Sequence, residues 1–433
     1  MLLYLESLGC AKNQVDSEMM LGILKKNFEV TSDARRADLL IVNTCAFIDE
    51  AKSEAIDKIL ELSDLKKKSS KLIVTGCLAK RYKDKLITLL PEVDRFISLE
   101  EYKDFAKIIN EVLNSSYKEE DFSFITREVL TPSYMRYVRI SDGCYNRCAF
   151  CAIPLIRGNL LSRSIEDIKE EVKYAVSNGA YEINLISQDT TMYGKDLYKR
   201  LALVDLLNEL VKIEGNFKIR LLYLYPEVVT DELIDFIKDN DKMMHYFDIP
   251  IQHSEDKILK AMYRRSNKEL IVNLFHKIRS LIPDAIIRTT MIVGFPFEEE
   301  EDVDNLIEFI KDIKFDRLGA FTFSLEEGTK ACEYPNVISN DTKNRRYERL
   351  MAEQAKIALE LNTKRLNTII DGCFITGYDE ESFMYTARSD EYAPDDIDGC
   401  IYVASIKELE LGERISVKIL DCDEYSLTGE QCE

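Results

Sequence analysis

No apolar run in this 433-residue chain approaches the length of a membrane span, so no spanning helix is expected. Basic charge is also in short supply: 58 Lys and Arg stand against 78 Asp and Glu, a formal net charge of −20. A chain this acidic is a poor default partner for a polyanion. With three histidines in the whole sequence, a zinc site completed by imidazole has few donors to draw on. The N-terminal Met1–Cys10 lacks a basic leader and meets Glu6 early. It reads as a first strand, not a signal peptide. These absences together point to a cytoplasmic location. There the 11 cysteines stay reduced, which favours metal or redox chemistry over disulfides. The 46% hydrophobic content is that of a globular chain, and the length suits two or three domains.

What is present is a motif. Cys144, Cys148 and Cys151 form a C-x3-C-x2-C run on a polar, Gly-containing segment. Three thiolates on one short loop can hold three corners of a 4Fe–4S cube and leave the fourth iron open to a small molecule. Zinc prefers four ligands, commonly as two C-x2-C pairs, and no second pair lies nearby. Packing of free thiols gives no reason for this spacing.

The pattern along the chain is α/β. In residues 1–125, apolar runs of strand length (Leu2–Leu8, Leu39–Asn43, Leu72–Thr75) alternate with helical stretches such as Asp16–Lys26 and Asp49–Leu62. This predicts a parallel sheet with crossover helices. The polar segment Asn114–Glu120 reads as a linker. Residues 130–365 contain six strand–helix units, with strands at Tyr137–Ser141, Glu182–Ser187, Arg220–Tyr225, Tyr246–Ile251, Ile286–Val293 and Leu318–Ser324. Helices such as Ile165–Ser177 and Asp302–Ile313 separate them. Six units predict a partial, open (β/α)6 TIM-like barrel, with the cysteine loop at the C-terminal face after its first strand. A charged helix near Asp341–Leu366 leads out. Residues 366–433 carry short alternating segments (Cys373–Gly377, Cys400–Ser405, Arg414–Leu420) and read as a small antiparallel β-barrel. From Leu366 onward, 17 acidic residues oppose four basic ones, a net −13.

Cys10, Cys45 and Cys77 each lie just past a predicted strand, in the contexts Leu-Gly-Cys, Asn-Thr-Cys and Thr-Gly-Cys. In a parallel sheet the strand ends share one edge, where ligands bind. The three cysteines are therefore expected to converge on a second site, another 4Fe–4S cluster with an open iron.

The C-x3-C-x2-C loop resembles the signature of radical S-adenosylmethionine (SAM) enzymes. The whole chain resembles the methylthiotransferases, with an N-terminal three-cysteine domain, a radical SAM barrel and a C-terminal TRAM barrel. Among subfamilies it is most similar to the RimO type, which modifies an aspartate of ribosomal protein uS12. The residues that carry this are Glu6-Ser-Leu-Gly-Cys-Ala-Lys-Asn-Gln-Val-Asp-Ser-Glu18, Asn43-Thr-Cys-Ala-Phe-Ile-Asp-Glu-Ala-Lys52, Ser141-Asp-Gly-Cys144, Ser187-Gln-Asp-Thr-Thr191 and Leu318-Gly-Ala-Phe321.

The resemblance implies that Cys144, Cys148 and Cys151 hold the SAM-cleaving cluster and that Cys10, Cys45 and Cys77 hold an auxiliary cluster whose free iron carries the sulfur. Two SAM are used: one methylates sulfur, and the other yields the 5′-deoxyadenosyl radical that takes hydrogen from the aspartate β-carbon. That C–H bond is too weakly acidic for a side-chain base. Phe150 is placed to flank adenine or simply to pack under the loop. Ser187, Gln188 and Asp189, at the second strand end, suit the methionine moiety of SAM, and loop capping equally. Gln252 and His253 end the fourth strand, where a structural hydrogen bond is the favoured role for His253. The chain departs from the family pattern at Phe297 (usually glycine), at Ser254-Glu255 (usually Gly-Ser) and at Tyr225 (usually histidine). Cys332, Cys373, Cys400, Cys422 and Cys432 read as ordinary thiols. The implied partners are uS12, a basic protein suited to the acidic terminal domain, and an external electron donor. Nucleic acid is not directly implied. The alternatives are a tRNA adenosine methylthiotransferase and, from another class, a non-catalytic iron–sulfur or zinc binding module.

Overall fold

A computed structural model describes residues 1–433 except 119, 336, 395, 396 and 433. Its first unit is a parallel sheet of β1 (Leu2–Ser7), β2 (Glu29–Val30), β3 (Leu39–Thr44), β4 (Lys71–Gly76) and β5 (Arg95–Ile97), in the order β2-β1-β3-β4-β5. Every residue of β3 is buried, as expected of a central strand covered by helices on both faces. The predicted helix Asp16–Lys26 starts earlier and spans Ala11–Leu24. Gly9, at φ +91°, turns the chain straight from β1 into it, a conformation that glycine adopts without steric cost.

The second unit starts with β6 (Met135–Arg139) and a short antiparallel pair, β7 (Ser141–Asp142) and β8 (Leu161–Ser162). Then come β9 (Glu182–Ile186), β10 (Lys218–Leu221), β11 (Met243–Asp248), β12 (Ile286–Val293) and β13 (Arg317–Thr322). Strands β6 and β9–β13 lie side by side in chain order as one open, parallel six-stranded sheet. The third and fourth predicted strands end sooner than expected, at Leu221 and Asp248; past β10, Tyr223 takes a positive φ of 62° and leaves the strand conformation. Ile183, Leu185, Leu221, Phe247 and Ile287 belong to the cluster that packs against the helices. By alternation, Glu182, Asn184, Arg220, Asp248 and Arg288 line the inner face.

That inner face is covered from two sides. Ala11, Val15 and Met19 of the first helix, and Phe374 and Ala393 of the third unit, join Tyr137, Ile186 and Tyr246 in one apolar cluster. The third unit is a closed barrel of β14 (Ile369–Asp379), β15 (Met384–Arg388), β16 (Ile401–Ala404), β17 (Arg414–Cys422) and β18 (Leu427–Gln431), in the order β14-β15-β16-β18-β17. It departs in one detail from the expected antiparallel barrel, since β16 and β18 run parallel. A closed ring of five strands cannot alternate direction all the way round, so one pairing must be parallel. The barrel docks through Phe374, stacked on Tyr134 at 4.3 Å and 3°, and through Arg388, which donates to Glu182 at 2.6 Å. No described helix is long and apolar enough to cross a membrane.

Candidate functional site

Strands β1, β3 and β4 are neighbours, and Cys10, Cys45 and Cys77 follow their C-terminal ends. Cys10 caps the helix Ala11–Leu24, and Cys77 opens the helix Cys77–Leu89. A helix N-terminus favours a thiolate. The three loops press together: a Cβ on Gly9 would lie 2.7 Å from Cys45 Cβ and 3.1 Å from its Sγ. Asn13, buried, ties the loops by donating to Leu8 O (3.1 Å) and Thr44 O (2.8 Å). Cys77 Sγ lies 3.4 Å from Asn13 Oδ1. Burial pushes the Cys77 thiol up to about 12, against the pull of Arg157, and burial also raises Cys45.

The second triad follows β6 and β7. Cys144 N–H donates to Gly158 O at 3.1 Å, and Cys151 N–H to Cys148 O at 3.0 Å, which curls the loop on itself. Burial pushes the Cys144 thiol up to about 11 and raises Cys151. Buried thiols held neutral in this way ionise when a metal takes the proton's place. Each triad has one guanidinium against one sulfur. Arg157 Nη2 is 3.8 Å from Cys77 Sγ, and Arg264 Nη1 is 4.0 Å from Cys148 Sγ. Among the described residues, no three Cys, His, Asp or Glu side chains gather around a single-ion position. A cube asks for a different arrangement, with one iron per thiolate and the cluster between the sulfurs. Three cysteines per site, with a cation beside each set, fit such a group.

Arg157 joins the two sites. Its Nη2 donates to Asn13 Oδ1 (2.6 Å) and pairs with Asp16 (2.8 Å), while Nη1 pairs with Asp142 (3.1 Å), two residues before Cys144. Arg139 holds the other oxygen of Asp16 at 2.5 Å. Sequence reading passed over Asn13, Asp16, Arg157 and Arg264. The available signal was a polar residue three positions after Cys10 and an arginine six positions after Cys151.

Ser187 is buried, its hydroxyl 2.6 Å from that of Ser141. Gln188 donates to Asp142 Oδ1 at 2.8 Å. Asp189 caps the turn Thr190–Met192 and accepts from Thr191 and from Asn146 (2.5 Å), so its carboxylate is engaged in loop capping. Phe150 packs edge-on to Phe295 at 6.4 Å beside a small apolar cluster. His253 is fully buried: its Nδ1 accepts from Glu255 N–H at 3.0 Å and its Nε2 lies 3.3 Å from Glu298 Oε2. Tyr225 places its hydroxyl 3.7 Å from Cys148 Sγ, with Arg264 4.1 Å above its ring. Phe297 sits at φ +75°, the left-handed region that favours glycine. Of the remaining cysteines, Cys373 is buried and Cys332 exposed, while Cys400, Cys422 and Cys432 are intermediate.

Three family models match in chain order: the Uncharacterized protein family UPF0004 over residues 2–98, the Radical SAM superfamily over 138–310, and the TRAM domain over 364–432. The chain is 46% identical to the ribosomal protein uS12 methylthiotransferase RimO of Clostridioides difficile (strain 630), over 98% of both chains. It is 45% identical to the RimO of Acetivibrio thermocellus, over 98% of this chain and 97% of that one. The chain belongs to the uS12 methylthiotransferase family. Its fold also resembles the radical SAM methyltransferase TsrM of Kitasatospora setae, at a TM-score of 0.57 and 11% identity over 86% of this chain and 80% of that one.

Proposed function

We propose that this chain is a radical SAM methylthiotransferase that adds a methylthio group to the β-carbon of an aspartate in ribosomal protein uS12. It works in the cytoplasm with two 4Fe–4S clusters, two SAM per turnover and an external electron donor. Cys144, Cys148 and Cys151 are assigned to the SAM-cleaving cluster, and Cys10, Cys45 and Cys77 to the auxiliary one. Residues 1–125, 130–365 and 366–433 are taken as the auxiliary-cluster, catalytic and TRAM domains. The observation that carries this reading is the pair of three-cysteine loops fastened to each other by Arg157, in a chain that matches methylthiotransferases end to end. When bound, the clusters and SAM supply a 5′-deoxyadenosyl radical and the sulfur and methyl to be transferred.

The protein's own residues set the geometry. Asp16 and Asp142 clamp Arg157, so the auxiliary loops cannot drift from the barrel mouth. Arg157 and Arg264 offset thiolate charge on each side. The helix Ala11–Leu24 packs along the inner face of the open sheet, and the terminal barrel closes its other end at Tyr134, Tyr181 and Glu182. Exposed Glu380, Glu381, Glu408, Glu410 and Glu413 suit a Lys/Arg-rich ribosomal protein or its ribosomal setting.

The test is anaerobic. The protein is reconstituted with iron and sulfide, reduced, and given SAM with uS12 or with tRNA. A gain of roughly 46 Da on the uS12 aspartate is expected, for SCH3 replacing hydrogen. A gain on tRNA alone overturns the substrate, and no 5′-deoxyadenosine overturns the chemistry.

A further inference from the structure

Lys12 lies in the first turn of the helix that starts at Cys10 and is only 7% exposed. Its Nζ stands 3.2 Å from the centroid of the Tyr223 ring. Tyr223 follows β10 at the barrel mouth and is held at φ +62° while its N–H donates to Asp248 at 2.8 Å. Lys12 therefore spans the gap between the auxiliary loops and the barrel. Among the described residues, no carboxylate or carbonyl pairs with its ammonium.

The cations around it are all answered. Arg139 has Asp16, Arg157 has Asp16 and Asp142, and Arg288 has Asp248 at 2.9 Å. Arg264 donates to Pro250 O at 2.8 Å. Asp248 is satisfied by Arg288 and the Tyr223 N–H, so it is not a spare partner for Lys12. A buried ammonium is costly, and an aromatic face repays only part of that cost. The Lys12 ammonium is thus able to take an anionic partner. The two sulfur sites already have Arg157 and Arg264 beside them.

We propose that Lys12 binds the side-chain carboxylate of the substrate aspartate, as a specificity-determining residue. This rests on the function proposed above. The carboxylate is one bond from the β-carbon to be modified. A cation two residues after Cys10 and set against Tyr223 of the barrel wall therefore holds that carbon beside the auxiliary site, facing the barrel. Helix N–H groups beside Lys12 reinforce the preference for an anion. A substrate that is basic overall brings its one reacting carboxylate to this lysine, and its other charges to the acidic exterior.

The test uses the full-length reconstituted enzyme and two uS12 peptides, with Asp or Asn at the target. Binding is measured by fluorescence anisotropy without reductant, and methylthio incorporation by mass spectrometry of the mixed peptides. Wild type should favour Asp over Asn by about 10- to 100-fold, the worth of a charge-assisted hydrogen bond. Lys12→Gln should bring the ratio to within about threefold of unity, since its amide pairs with either side chain, while Lys12→Arg should keep a clear Asp preference. An unchanged ratio in Lys12→Gln overturns the proposal, as does a wild type indifferent to Asp or Asn. Loss of iron from Lys12→Gln with its Asp preference intact also overturns it and makes Lys12 a cluster counterion. If wild type prefers the Asp peptide in binding and Lys12→Gln does not, yet neither adds a methylthio group, the role of Lys12 stands and the chemical reading falls.

Discussion

Replacing Gly76 with alanine should empty one metal site and spare the other. Gly76 sits at φ +91°, ψ −158°, a region nearly closed to residues with a side chain, at a cost of about 1–3 kcal/mol. Space is lacking too. A Cβ there would lie 2.3 Å from Asn43 Oδ1, 2.5 Å from Thr44 O and 2.7 Å from Thr44 N. Two of these atoms are backbone of the neighbouring strand, so relief requires moving β3 or β4. Such overpacking adds about 1–3 kcal/mol. The sum is a large part of the about 5–15 kcal/mol that holds a typical domain together. The displacement falls on Cys77, the next residue, and on Thr44 O, the acceptor that anchors Asn13. Iron and sulfide per chain after anaerobic reconstitution are the assay. Gly76→Ala should lose about four irons, one cube, and still cleave SAM at the Cys144 site. Gly179→Ala is the control, because Gly179 shares φ +91° but a Cβ there meets nothing within 4 Å. If the two variants hold equal iron and melt together, steric crowding at Gly76 does not position Cys77, and the reasoning fails.

Other predictions can be checked on the purified chain. Phe297→Ala and Phe297→Gly both lose the ring contact with Tyr334 (5.3 Å), but only glycine relieves the positive φ. Chemical unfolding should therefore find the alanine variant less stable by about 1 kcal/mol. Burial pushes the Glu101 carboxyl up, yet Lys83 and Ser98 overrule it and hold it at about 2. Its folded value is depressed, so its contribution is present above the ordinary carboxyl range near pH 4.5 and is lost as pH falls towards 2. Glu101→Gln should cost about 1 kcal/mol at pH 7, after solvent screening of this partly exposed group, and progressively less as the pH falls through about 2. Burial pushes the Cys373 thiol up to about 12. In native protein at pH 8, iodoacetamide should label the exposed Cys332 and leave Cys373 untouched until denaturant is added.

Local pattern made much of this protein legible. The C-x3-C-x2-C loop needs no fold to bring its sulfurs near one another, because the covalent chain does so. The strands of the two parallel sheets announce themselves as apolar runs, since burial on one or both faces leaves little room for polar residues. Cys10, Cys45 and Cys77 could be placed on one edge because β1, β3 and β4 each end just before a cysteine, and parallel strands end together. The terminal barrel was harder to read. Met384–Arg388 and Leu427–Gln431 escaped notice, being five-residue strands with partly exposed, polar positions, where alternation is weak.

Sequence alone thus determined the fold class and the family and pointed to both cysteine triads, all of which rest on short-range spacing and periodicity. Tertiary structure decided which charges meet. Arg157 reaches Asn13 across 144 positions and Asp142 across 15, and no local pattern records such a pairing. The same holds for the isolation of Lys12. A buried cation is identifiable as unpaired only when every neighbouring carboxylate has been assigned to another partner, and that assignment is made in three dimensions.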